Sequence, residues 1–331
     1  MRYLYFVLIL VVFSACSNEI DLYADWENIP VVFGLVEADG TDQYLRVERV
    51  FQGEDGNAFD AAQNIDSIYY SNASVFVTNE STGASTLLEK TEVSSTLNLD
   101  RDPGLFAREP NFLYKLDADD LSYQAGDVLT LELFENGVDV PFSVAQTNIL
   151  QPVEYIPNSS DIISFRPGKP TSFNFEFGPN SKLFDLILYL NITEFDSADE
   201  SITEKSIKWV VARGVNIPDE VTSFYTYSIQ GDGFYAALLD NLEVVPTVTR
   251  FFGEISVEFI AAGEELKLFN EIAQVNTGIT SAQEIPIYSN LSNGLGIFSS
   301  KSTSRVDELT LSEVTIDSLR NSELTEALNF N

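Results

Sequence analysis

The chain has 331 residues with 18 basic and 51 acidic side chains, a formal net charge of −33, no histidine and a single cysteine. That balance excludes nucleic acid as a partner, and anionic lipid or polysaccharide would repel such a surface. The lack of histidine excludes Ser-His-Asp and Cys-His catalysis and any histidine-ligated zinc, copper or iron.

At the N-terminus, Arg2 is followed by an apolar run from Tyr3 to Phe13 and then by the small residues Ser14 and Ala15. The run is about eleven residues, well short of the roughly 20 that span a bilayer as a helix, and it predicts a cleaved signal peptide over 1–15. The order Phe13-Ser14-Ala15-Cys16 resembles the lipobox of bacterial lipoproteins, with Phe13 where leucine is usual. Cys16 has no second cysteine to pair with, so lipidation of its thiol is the expected fate. Acyl chains would hold the protein on a membrane without help from charge. Residues 17–28 read as a polar tether.

From there the chain reads as mainly β. Alternating segments recur at Leu45-Arg46-Val47-Glu48, Ser74-Val75-Phe76-Val77, Leu129-Thr130-Leu131-Glu132-Leu133, Phe173-Asn174-Phe175-Glu176-Phe177, Tyr225-Thr226-Tyr227 and Ile255-Ser256-Val257-Glu258-Phe259. A period of two, rich in aromatic and β-branched residues, predicts half-buried strands. Turn signals at Ala38-Asp39-Gly40-Thr41, Glu54-Asp55-Gly56-Asn57, Ser81-Thr82-Gly83 and Glu135-Asn136-Gly137 favour antiparallel sandwiches over a parallel α/β sheet. Prolines 152, 157, 167, 170 and 179 place a boundary near 150, giving a first sandwich at 29–150 and a second β-rich domain at 151–331. Three short helices are expected late. One is capped by Asp232 and carries Phe234, Ala237, Leu238 and Leu242; one covers 264–274 with Leu266, Phe269 and Ala273; one covers 315–328 with Ile316, Leu319, Leu324 and Leu328.

No residue earns a catalytic, cofactor-binding or metal role. The acidic clusters, Glu54-Asp55-Gly56-Asn57 with Asp60, Asp100-Arg101-Asp102, Asp117-Ala118-Asp119-Asp120 and the run from Glu194 to Glu200, lack the glycine and distal glutamate of a calcium loop and read as solvated turns. Paired carboxylates held about 5 to 9.5 Å apart would hydrolyse a glycoside, but sequence spacing cannot show such a pair, and with 51 acids any nomination is arbitrary. Tyr69-Tyr70, Trp209 and Phe224-Tyr225-Thr226-Tyr227 offer ring area for a sugar or peptide, or else core packing. Gly294-Leu295-Gly296 lacks the third glycine of a nucleotide fingerprint and reads as a bend in a strand.

The stretch Glu284-Ile285-Pro286-Ile287-Tyr288-Ser289-Asn290-Leu291-Ser292-Asn293-Gly294-Leu295-Gly296-Ile297-Phe298 resembles the Tyr-Ser-Asn-x-x-x-Gly-x-Gly-x-Phe signature of a family of Bacteroidetes outer-membrane lipoproteins of unknown function, often encoded near TonB-dependent receptors. Ile29-Pro30-Val31-Val32-Phe33-Gly34-Leu35-Val36 is similar to that family's opening strand. The resemblance implies an N-terminal immunoglobulin-like β-sandwich, a second β-rich domain and a lipid anchor in the outer membrane, and it carries over no catalytic residue. Glu19 and Asp21 look like the acidic tether that sends lipoproteins of this phylum to the surface, although Ile20 splits them. The leading expectation is a non-enzymatic accessory or binding component of a TonB-dependent transporter or another envelope assembly. A free-standing, adhesin-like module for a glycan or peptide ligand is the alternative, and a carboxylate-based glycosidase is third.

Overall fold

The computed structural model describes residues 28–51, 58–157, 161–221, 224–275 and 287–331. Cys16, the signal peptide, nearly all of the tether and the 54–57 turn lie outside the described residues.

The first unit is built from β1 (Pro30–Val36), β2 (Gln43–Arg49), β3 (Ala73–Asn79), β4 (Ala84–Leu87), β5 (Glu89–Glu92), β6 (Phe112–Leu116), β7 (Val128–Glu135) and β8 (Ser143–Asn148). They pair in the orders β1-β2-β6-β5 and β4-β3-β7-β8. Lettered A to G along the chain, these are the A-B-E-D and C′-C-F-G sheets of an immunoglobulin-like sandwich. The alternation explains it: Leu45 and Val47, Val75 and Val77, and Leu129, Leu131 and Leu133 all take the inward phase and meet in one core with Val32 and Phe298. Each such buried side chain contributes about 1.5–3 kcal/mol. Three helical turns too short to show periodicity lie between strands, at α1 (Ala58–Gln63), α2 (Ile65–Ile68) and α3 (Val93–Leu97).

The second unit packs a sheet of β9 (Glu154–Ile156), β11 (Pro170–Glu176) and β14 (Phe224–Gln230) over the long strands β12 (Leu183–Asp196), β13 (Ser201–Asn216) and β15 (Val248–Ala262). A short strand β10 (Ile162–Ile163) precedes β11, and the interior is aromatic. Phe165 stacks on Phe234 with centroids 4.5 Å apart, and Phe175 meets Phe259 at 4.7 Å. Such pairs add about 0.5–1.5 kcal/mol beyond the area they bury.

One strand belongs to both units. β16 (Leu295–Leu311) runs parallel to β1 from Leu295 to Ser300, then antiparallel to β15 from Lys301 to Leu309. β8 ends at Asn148, and Leu150 N donates to Ser300 Oγ at 3.1 Å, so the chain leaves the first unit pinned to the strand that later joins both.

Two helix expectations need correction. In α4 (Asp232–Asn241) the capping position is Gly231. Asp232 is the first helical residue, and its carboxylate accepts from Gly168 N at 2.9 Å. The single helix expected over 315–328 is α6 (Glu313–Asn321), capped by Ser312, followed by a separate 3-10 turn at Glu326–Leu328. The break comes where Thr325 Oγ1 donates to Leu319 O at 2.9 Å, and it leaves Leu324 53% exposed instead of on an apolar face. Between these helices, α5 (Glu264–Val275) lies on β16 and β1, with Phe269 edge-on to Phe33 at 5.9 Å and Ala273 exposed rather than inward.

Candidate recognition face

Several of the acids singled out in the sequence are engaged by local structure. Lys115 Nζ sits between Asp42 at 2.8 Å and Asp117 at 2.6 Å, and its hydrogen bonds hold both carboxyls below their ordinary range. Arg101 pairs with Glu48, and Arg108 lies 3.9 Å from Asp100. Glu194 takes Arg250 and Lys205, both at 2.8 Å, while Asp196 and Asp199 accept from Ala198 N and Ser201 N in tight turns. Among the described residues, no group of three or more acidic side chains is arranged to hold a metal ion.

The aromatics expected as a platform do not assemble as one. Tyr69 and Tyr70 are buried, Trp209 packs against Phe165 and Phe234, and Tyr225 and Tyr227 face the second core. Phe224, 52% exposed, stands apart from them.

The described part of the C-terminal signature is a clasp. The Asn290 side chain imitates a strand, donating through Nδ2 to Phe298 O at 2.7 Å and accepting from Phe298 N at 3.0 Å. Ser292 N donates to Val144 O at 2.7 Å while Ser292 Oγ accepts from Val144 N at 2.9 Å, which closes the outer edge of β8. Gly296 has φ +95°, and a Cβ there would collide with the Val32 carbonyl, so β16 can lie beside β1 only with glycine at this point.

What the first sandwich leaves open is the outer face of β4-β3-β7-β8. Period-two alternation that sends Val75 and Val77 inward sends Phe76 outward, and Phe134 follows likewise after Leu129, Leu131 and Leu133. The two rings meet edge-on with centroids 5.6 Å apart. Register sets Leu87, Phe76, Glu132 and Val144 in one row across the sheet, with Leu87 54% exposed. The next row is polar: Thr78 Oγ1 donates to Ser85 Oγ at 2.9 Å, Gln146 Nε2 donates to Thr130 Oγ1 at 2.9 Å, and Thr130 Oγ1 donates to Glu80. A shallow depression of about 380 Å³ lies over Ser74, Phe76, Glu132, Phe134 and Val138. Glu80, Glu132, Glu135 and Asp139 make its surroundings acidic. Half-buried rings on a rigid sheet, flanked by bonded hydroxyls, suit contact recognition more than bond-making. Sequence reasoning located β3 and β7 but overlooked this face, although the outward phase of Phe76 and Phe134 was there to read.

No family model matches the chain, and no curated protein matches it. Among solved structures it is similar to the FN1-FN3 domains of chicken CNTN1, at 11% identity over 86% of this chain and 67% of that one, with a TM-score of 0.23. The immunoglobulin-like assignment stands on the strand order alone.

Proposed function

We propose that this protein is a non-enzymatic, lipid-anchored outer-membrane binding component, an accessory to a TonB-dependent transporter or another envelope assembly, and that it meets its protein partner through the outer face of β4-β3-β7-β8. The observation that carries the reading is the Phe76–Phe134 pair, held outward on a sheet whose inner face is fully packed. Aromatic residues anchor protein interfaces because they give large rigid contact area at low entropic cost. The acids around the depression match a partner surface with basic residues at its rim. Asp117 and Glu194 of the acidic clusters are held in ion pairs and Asp196 in a turn, which supports binding over hydrolysis at those clusters.

The test is a mild-detergent pull-down of the tagged, lipidated full chain from its native membranes, run beside Phe76→Ser/Phe134→Ser. A stoichiometric β-barrel protein recovered by the wild type and lost by the variant is expected. Recovery of the lipoprotein alone would return the free-standing glycan- or peptide-binding module as the better reading. A barrel retained equally by the variant would keep the accessory role and remove the face from it.

A further inference from the structure

Arg166 and Lys169 stand at the two ends of a four-residue turn between β10 and β11. Lys169 N donates to Arg166 O at 3.1 Å and closes the turn, which brings the two Cα atoms within about 7 Å. The turn is fixed from several sides. Gly231 N donates to Lys169 O at 2.8 Å, and Gly168 N donates to Asp232 Oδ2 at 2.9 Å. The preceding Phe165 is held by Tyr235 Oη, which donates to its carbonyl at 2.8 Å, and by Thr315 Oγ1, which accepts from its amide at 2.9 Å. A Cβ on Gly231 would collide with the Arg166 carbonyl, so helix α4 can abut the turn only through glycine.

Beside the turn is an open cavity of about 460 Å³ lined by Tyr155, Ile163, Ser164, Arg166, Lys169 and Thr171 among others. Several basic side chains elsewhere, Lys115, Lys205, Arg250, Lys301 and Arg305 among them, have carboxylates within 4.0 Å. Arg166 and Lys169 form no ion pair among the described residues. In a chain of net charge −33, Arg166 and Lys169 put two positive charges against the one Asp232 carboxylate held at their turn, and the cavity walls focus the excess. The other groups are fixed as well. The Tyr155 ring stacks on Phe259 with centroids 5.7 Å apart and planes 27° apart. Ser164 Oγ accepts from Ser312 Oγ at 2.9 Å and keeps its own proton to donate, whereas Thr171 Oγ1 donates to Ser164 O at 2.8 Å and keeps its lone pairs.

We propose that this cavity binds a sugar-sized, polyhydroxylated carboxylate such as a uronic acid. The Arg166 guanidinium grips the carboxylate as a two-pronged donor and Lys169 adds a point charge. Tyr155 offers an apolar ring face to the sugar, and Ser164 and Thr171 offer a donor and an acceptor to its hydroxyls. The site is on the second unit and does not depend on the sheet face of the first.

Titration calorimetry of the lipidated full chain in neutral detergent, with glucuronate, glucose and inorganic phosphate as separate probes, tests it. Glucuronate is expected to bind at least about tenfold more tightly than glucose or phosphate, and to weaken about tenfold or more in Arg166→Gln/Lys169→Gln. Both side chains are exposed, so the variant should keep the wild-type thermal transition. Absent binding of glucuronate, equal binding of glucose or phosphate, or undiminished binding by the variant would each overturn the proposal.

Discussion

Arg250, 1% exposed, donates through Nε to Glu194 Oε1 at 2.8 Å inside the second core. The same guanidinium donates through Nη1 to Leu328 O at 2.7 Å and through Nη2 to Glu243 O at 2.8 Å, so one side chain ties a strand pair to the C-terminal turn 78 residues on. Breaking a buried pair costs about 3–5 kcal/mol, and since Lys205 stays 2.8 Å from Glu194 the loss of Arg250 falls at the lower end of that range. Arg250→Met should therefore lower the unfolding free energy from urea denaturation by about 3 kcal/mol. Arg250→Met/Glu194→Leu should regain part of the loss, since it removes the buried carboxylate left with Lys205 alone but does not restore the lost carbonyl contacts. A double variant no more stable than the single one would refute this account.

Glu92 caps α3 with a carboxylate that accepts from the Ser95 hydroxyl, from Ser95 N and Ser94 N at 3.0 Å each, and from Asn111 N at 3.3 Å. These hydrogen bonds, those from Ser95 foremost, hold its carboxyl at about 2, against 4.5 ordinarily. A carboxyl whose folded value is depressed contributes stability that is fully present above the unfolded value and lost as pH falls through the folded one. The stability gap between wild type and Glu92→Gln should thus be constant from neutral pH to about 5 and close between about 4.5 and 2. Denaturant unfolding across that range checks it, and a gap that widened on acidification would contradict the assignment.

At Gly296 two penalties coincide, the positive φ and the Val32 carbonyl in the path of any Cβ. Gly296→Ala should cost about 3 kcal/mol or more, because strain and loss of the β1–β16 pairing add. Gly40→Ala is the control: φ is +73° there too, but nothing lies within 4 Å, so only the backbone cost of about 1–2 kcal/mol applies. Equal losses at the two sites would mean that the close approach to β1 contributes nothing.

The strands that alternate cleanly were legible because each has its own apolar phase, as in Val75 and Val77 of β3 or Leu129, Leu131 and Leu133 of β7. β16 was not legible over Ser299, Ser300 and Ser302, a hydroxyl-rich stretch that composition reads as loop. These serines are buried because β1 and β15 flank the strand, and their hydroxyls are satisfied across the fold: Ser299 Oγ donates to Glu265 at 2.9 Å, and Ser300 Oγ accepts from Leu150 N. Partners 34 and 150 residues away leave no local periodicity to read. The recognition face was half legible, since the phase of Phe76 and Phe134 is in the sequence while the rows that place Leu87 and Val144 beside them arise only from strand register. The turn of Arg166 and Lys169 was visible as Arg166-Pro167-Gly168-Lys169, but that its cations lack partners depends on the packing of α4 and β11 around it.

Cys16 is where sequence alone makes the sharpest demand on the whole molecule. A chain of net charge −33 gains nothing from anionic headgroups and is repelled by them, so the proposed membrane residence would rest on acyl chains at Cys16. Each buried methylene contributes about 0.8 kcal/mol, and stable anchoring takes more than one chain, as a diacylglyceryl thioether provides. Cys16→Ser should therefore abolish incorporation of labelled fatty acid and move the protein from the detergent phase to the aqueous phase on Triton X-114 partition. The fold should be unaffected, because Cys16 precedes β1 and both cores are built from residues after it. Should the serine variant still partition with detergent, the anchor would have to be the apolar run from Tyr3 to Phe13, retained instead of cleaved. N-terminal sequencing of that variant would then find Met1 in place.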